Sequence, residues 1–562
     1  MYAPRGDGHF AARKEWFFRR LLSSDIRQRA VAMEKVRAEL LEMDAQTLDI
    51  HLPSLQRLAR DAPLSDVRTG CREILDDLHA VKDDDTPVSY YVDQKDIVPV
   101  SGNADSDLDA LFAKCFLQSG RISHLTRLLG WHTPYLKLHR GLITAIMLSD
   151  GPLPLEWRNY IALMASSEYR CHYASIIQQH YFLINGGNAT WLDGLECVPP
   201  KLARLHSLNA LLAHQPWLIT SDDVADLLAS GSDGASWSVS ELVHAIVVMC
   251  MFHSMSSISL GLGCVDESDL TLLSSKASMP QRSRRKSSSL SSSGRKSESS
   301  SPEYDAARLE LDEALLRERM TKDVDFSDSG DDDDDDDDED APEDDEEDEE
   351  GGEGHFDLAA APGSLKRRRR GESVESHCKG DMWRYCSETI DEYVDFDVRS
   401  SEYNVLHTED FSWDEHCFSL VSRYFPGPGG AILEELFKLT MKLTYNTYGT
   451  PASSNQDDDD ACDATMDTTP FRHAIWYYVH RIYGICHDDY EYRNVNIFLN
   501  RPTKHFVKKV ACTPWRVTAK DVEHFSHTLT VSEKCHVTLL AAEARKQAGL
   551  MYGLRAVMQH FL

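Results

Sequence analysis

The sequence predicts an all-α protein. Apolar residues recur at three- and four-residue steps through most of the chain. No run of alternating β-branched residues is long enough to imply a sheet. With 562 residues, 42% of them hydrophobic, the chain has enough apolar material for two or three cores without disulfide support. The predicted organisation is an N-terminal helical extension with a polar linker (1–105), a helical lobe (106–266), a disordered insert (267–380) and a second helical lobe (381–562).

Each element follows from local pattern. Phe17, Leu21 and Leu22, then Val31, Val36 and Leu40, suit helices packed as a small bundle or hairpin. Residues 63–105 read as polar, with Asp83 to Asp85 and a loop-like SGNADSD at 101–107. Gly151-Pro152-Leu153-Pro154 breaks the chain ahead of a helix whose buried face carries Trp157, Ile161, Met164 and Ile177. Gly186-Gly187 is its expected stop. Another helix opens at 237–241, with Ser238 or Ser240 as N-cap. Its apolar stretch, Leu242 to Met255, is too short to span a bilayer, so no membrane span is expected.

Residues 267–380 differ in kind: a serine-rich basic tract, an acidic run, then Lys366-Arg367-Arg368-Arg369-Arg370. Apart from a short helix near 305–318, this segment is too poor in apolar residues to offset chain entropy. Globular pattern returns from about 381, with helices predicted around Ile432 to Met441, Phe471 to Ile482 and Ser532 to Phe561.

The net charge of −33 is concentrated: 18 negative charges fall within 331–350, and without them −15 remains. A basic folded surface of the nucleic-acid-binding kind is therefore not expected. The 13 cysteines form no CxxC pair and no zinc-spaced cluster, so neither a metal nor a cofactor is expected. The N-terminal residues lack a signal-peptide apolar stretch, and a reduced cytoplasmic setting is the expectation. Lys366 to Arg370 is either a nuclear import signal, which would add the nucleus, or a screen for the acidic run. Arg284-Arg285-Lys286-Ser287 has the pattern of an arginine-directed phosphorylation site.

Three places carry candidate chemistry. Cys171 is placed on a helix between Arg170 and His172, two cations that favour a thiolate, although a helical cysteine is commonly just buried. Arg472 begins an aromatic helix, and Glu533 sits in the first turn of the last one. One cation and one anion are what an α-amino acid needs for its two ends. Local pattern also fits a surface arginine and a capping glutamate. Asp488-Asp489-Tyr490-Glu491-Tyr492 is an acidic, aromatic turn suited to docking or to plain solvation.

Several long stretches together resemble the sestrin family. They are GPLPLEWRNYIALM (151–164), the Cys171/Tyr173 segment, WLDGLECVPPKLARLHSLNALLAHQPWLIT (191–220), SWSVSELVHAIVVM (236–249), LTYNT (443–447), RHAIWYYVHRIYGICHDDYEY (472–492) and SEKCHVTLLAAEARKQAGLMYGLRA (532–556). The resemblance implies two related helical lobes similar to the alkylhydroperoxidase/carboxymuconolactone decarboxylase fold. It also implies a stress-responsive inhibitor of TOR-kinase growth signalling that binds a GATOR complex and releases it when leucine is bound. Matched residue by residue, Glu533 is the family's ammonium-binding glutamate and Arg472 its carboxylate-binding arginine. Thr444, Tyr445, Thr447 and Thr468 match the lid, and His132 a histidine that helps latch it. Phe471 stands where a leucine is usual, and Ser526 where a tryptophan floors the pocket, with Phe525 adjacent. Ser238, Asp488 and Asp489 match the partner surface. The alternative activity is a cysteine-dependent alkyl hydroperoxide reductase: Cys171 and Tyr173 match the family's site, but Gln178 replaces its histidine and Ala174 stands where a resolving cysteine would be. His180 lies about 200° around a helix from Gln178.

Overall fold

The computed structural model of the chain describes residues 17–82, 86–229, 236–267, 269–270, 382–386, 396, 403–425, 427–444, 448 and 467–562. Arg284 to Ser287, the acidic run, Lys366 to Arg370, Tyr445 and Thr447 lie outside the described residues. The described chain is helical, apart from a two-residue parallel pairing of β1 (Leu406–His407) with β2 (Ile485–Cys486). Helices α1 (Ile26–Glu42), α2 (Ala45–Asp61) and α3 (Ser65–Asp77) pack on one another. They are followed by α4 (Ser106–Ser119), α5 (Thr133–Ile143), α6 (Leu155–Glu168), α7 (His172–Ile184), α8 (Leu205–His214) and α9 (Val239–Gly261). The C-terminal part holds α10 (Gly429–Thr440), α11 (Thr469–Ile482), α12 (Arg501–Cys512) and α13 (Val531–His560).

Two long helices, α9 and α13, pack against each other and join the two halves of the chain. Helix α9 is buried on every face from Leu242 to Gly261 and predominantly apolar, as suits a helix surrounded by neighbours. It is long and apolar enough to cross a membrane by length and composition, yet its apolar window is wholly buried in protein. Ser238 and Glu241 close a capping box at its start, so Ser238 rather than Ser240 is the cap. Close approach of α9 and α13 depends on small residues. A Cβ on Gly553 would sit 2.9 Å from Ile246 Cγ2, and one on Gly261 would sit 2.8 Å from Thr538 Cγ2.

Arg545 of α13 is fully buried at this junction. Its guanidinium donates to the Tyr169 hydroxyl at 2.5 Å and to the Leu212 and Ala213 carbonyls at 2.5 and 3.0 Å. It also lies over the rings of Tyr169 and Tyr483, one from each half of the chain. Nearby, Glu543 pairs with Lys546 at 2.5 Å and accepts a 2.7 Å hydrogen bond from Tyr135 of α5.

Four expectations need correction. Val31 is exposed on the outer face of α1, while Val36 and Leu40 are buried as expected. The polar stretch 63–105 contains helix α3, whose buried side is Val67, Cys71, Ile74 and Leu75, a four-residue apolar pattern diluted by charges. The helix expected to run from 155 through Ile177 is broken. Arg170 takes a left-handed backbone (φ 52°), and Cys171 is the N-cap of α7 rather than a residue within a helix. The folded body also extends past 266. Glu267, Asp269 and Leu270 are buried, held by Arg57 and Arg121.

Candidate functional site

Helix α13 begins with a capping box. The Thr530 N–H donates to Glu533 Oε2 at 2.8 Å, and the Glu533 N–H donates to Thr530 Oγ1 at 3.3 Å. Glu533 is nonetheless buried, at 4% exposure, which an ordinary surface cap is not. Arg472, in the first turn of α11, is 2% exposed. Its Nε donates to Thr468 Oγ1 at 3.0 Å and its Nη2 to Thr469 Oγ1 at 2.7 Å. Two hydroxyls thus fix the guanidinium plane, although Pro470 leaves this turn short of a backbone donor.

Both charges reach Tyr448. Burial pushes this phenol well above its ordinary value, Glu533 adds to the rise, and Arg472 opposes it. The Tyr448 hydroxyl bonds His536 Nδ1 at 2.9 Å, and Thr444 bonds the same nitrogen. His536 lies one helical turn beyond Glu533 and is pushed down to about 3, chiefly by burial, so it is neutral near pH 7. The Tyr448 and Phe471 rings meet edge to face at 5.0 Å. From the N-terminal half, His132 Nε2 bonds the Ser532 carbonyl at 2.8 Å, and its ring is 5.8 Å from His536.

The structure therefore gathers Thr444, Thr468, Phe471, Arg472, Glu533 and His132 near the start of α13. Sequence reasoning missed Tyr448 and His536. The available signal was local: His536 shares a helix face with Glu533 at i,i+3, and Tyr448 follows Thr447 directly. Ser526 serves the chain itself, since its Oγ accepts from the Leu529 N–H at 3.1 Å. Phe525 is stacked on Phe506 at 4.2 Å.

Ser238, Asp488 and Asp489 are all exposed. Asp488 accepts from His407 Nδ1 at 2.5 Å, a contact that holds its carboxyl below the usual range. The parallel register sets His407 beside Cys486, two residues before Asp488, and ligand atoms of the three lie within 4.8 Å of one another.

At the other candidate centre, Cys171 is fully buried. Tyr173 donates to Glu267 Oε1 at 3.0 Å and accepts from the Leu125 N–H at 3.0 Å. Gln178 Oε1 accepts from Asn159 Nδ2 at 3.0 Å, so the position that matches the family's histidine belongs to an amide chain. His180 is pushed down to about 4 by burial and by Arg121. The sequence-identified Cys171 and Tyr173 are thus tied into buried structure.

Against this geometry, the comparisons are decisive. The family model described as PA26 p53-induced protein (sestrin) matches residues 87–561. The chain belongs to the sestrin family. A sestrin homolog of Dictyostelium discoideum is 36% identical, covering 97% of this chain and 88% of its own length. Sestrin-2 of Homo sapiens is 33% identical over 81% of this chain and 88% of its own. Sestrin-3 of Mus musculus is 32% identical over 84% and 92%. Membership supports a stress-inducible sestrin function.

Proposed function

We propose that this sestrin senses a free amino acid, leucine first, and inhibits TOR-kinase growth signalling by binding a GATOR complex that leucine releases. The observation that carries the reading is the convergence of two buried opposite charges, Arg472 and Glu533, on one buried phenol, Tyr448. Burying a cation and an anion is costly unless partners compensate them. Beyond the partners each side chain has within the chain, a zwitterionic ligand would offer its carboxylate to Arg472 and its ammonium to Glu533. Phe471 and Tyr448 offer an apolar wall for the side chain. Because Thr444 and His132 contact α13 from separate segments, a ligand that favours the closed arrangement would shift the population towards it. Asp488 and Asp489 would meet a basic or amide-rich partner surface, and Ser238 belongs to the same proposed interface. We place this activity in the cytoplasm, with the Lys366–Arg370 run admitting the nucleus.

Partner capture tests the reading. Tagged full-length protein should retain a GATOR complex from lysate without leucine and lose it when leucine is added. Asp488→Lys/Asp489→Lys should abolish capture under both conditions. Capture indifferent to leucine would refute sensing. Capture indifferent to the charge reversal would refute the docking surface.

A further inference from the structure

We propose that the N-terminal half carries a second ligand site, separate from the amino-acid site, that takes an amphipathic monocarboxylate. A cavity of about 350 Å³ lies among α4, α5, α7 and α9. That is at the lower end of small-molecule pockets, roughly 300–1,000 Å³. At roughly 30 Å³ per water-sized atom, the space accepts about a dozen heavy atoms.

Helix α7 and its C-cap Asn185 present one stripe to the cavity, with Tyr173, Ile177, Gln178 and Tyr181 at helical spacing. Met147, Ile143 and Leu148 face it, and Phe252 and Met255 of α9 add further apolar wall. Two arginines, Arg121 and Arg140, also line it, and no lining residue is acidic. Arg121 uses one end of its guanidinium on Asp269, and its Nη1 is buried without a partner. Arg140 has no carboxylate partner among the described residues; its neighbour is the Cys115 thiol, which also lines the cavity.

Further polar atoms are left over. His139 is 6% exposed, and its Nδ1 has no hydrogen-bond partner. Asn185 Oδ1 is likewise unpartnered. Asn185 donates to Asn159 at 2.7 Å and Asn159 donates to Gln178 Oε1 at 3.0 Å, so three amides form one chain along this wall. Buried polar groups without partners are costly, and several around one hollow mark a site that something polar fills. The charge balance selects the ligand: a single carboxylate for Arg140, with an aliphatic tail against the methionines, Ile177 and Phe252. Cys171 is not among the lining residues, so the site binds without using that thiol.

Calorimetric titration of the full chain with decanoate, at submillimolar concentration, tests this. One saturable site is expected, with decanol (same tail, no charge) bound about tenfold more weakly. Arg140→Gln, at a half-exposed position, should weaken decanoate about tenfold and leave decanol unchanged. Met147→Trp, which fills the cavity, should remove both, while leucine binding persists. No saturable heat means a water-filled cavity and overturns the proposal. So does decanol binding as tightly as decanoate, or decanoate binding unaltered in Arg140→Gln.

Discussion

Thr530 and Glu533 bind each other twice, backbone N–H to side-chain oxygen in both directions, at 2.8 and 3.3 Å. The carboxylate thus caps α13 from a buried position, and the proposed function gives it a second duty, meeting a ligand's ammonium; the two duties can be separated.

Glu533→Gln preserves a capping-box side chain, whereas Glu533→Ala does not. Denaturant unfolding should place the glutamine variant near the parent. The alanine variant should fall about 0.3–1.5 kcal/mol lower. Equal stability of the two variants would show that the cap contributes nothing.

Acid stability has its own origin. Burial alone would raise the Glu267 carboxyl, but Arg57, then His124 and Arg121, override it and hold it at about 2, below its ordinary value of 4.5. A carboxyl depressed in the folded state contributes stability that is complete above the unfolded value. That contribution is lost as pH falls from about 4.5 towards 2. Glu267→Gln should flatten the stability profile across that window and lower stability near pH 7. Circular dichroism melts at several pH values read this directly.

Tyr135 donates to Glu543, which is buried beside Lys546. Tyr135→Phe leaves the carboxylate one donor short and should cost about 1–3 kcal/mol. Denaturant titration should show a lower midpoint with an unchanged slope.

Gly553 faces Ile246 across the α9–α13 contact at a distance that leaves no room for a side chain. Gly553→Val should destabilise by about 1–3 kcal/mol, measured by thermal unfolding with reversibility checked. A more stable variant would mean that the helices do not meet there.

Peroxide consumption by Cys171→Ser should match that of the parent, because Cys171 is fully buried and Gln178 is engaged by Asn159. A thiol peroxidase needs an activated thiolate and a way back from sulfenic acid. A large loss of turnover in the serine variant would restore the enzymatic reading.

The helices were legible where periodicity was strong. The segments 469–482 and 531–560 fall within a few residues of the boundaries read from the sequence. The break at Arg170 was not legible, because a left-handed arginine leaves no compositional mark of the kind glycine leaves. Helix α3 was obscured because its four buried residues are separated by charges. At the candidate site, Arg472 and Glu533 could be named from charge logic and resemblance. Tyr448 and His536 were not named: their positions beside Thr447 and one turn from Glu533 were readable, but the contact that joins them spans 88 residues of sequence. The ion cluster that joins Arg57 to Glu267 and Asp269 was equally invisible, since its partners sit about 210 residues apart.

Leucine titration of the full chain by calorimetry, with Glu533→Gln run alongside, tests the central claim most directly. The account predicts one saturable site in the parent and none in the variant, with both proteins equally folded. Leucine heat that is absent from the parent, or that persists unchanged in Glu533→Gln, would contradict it.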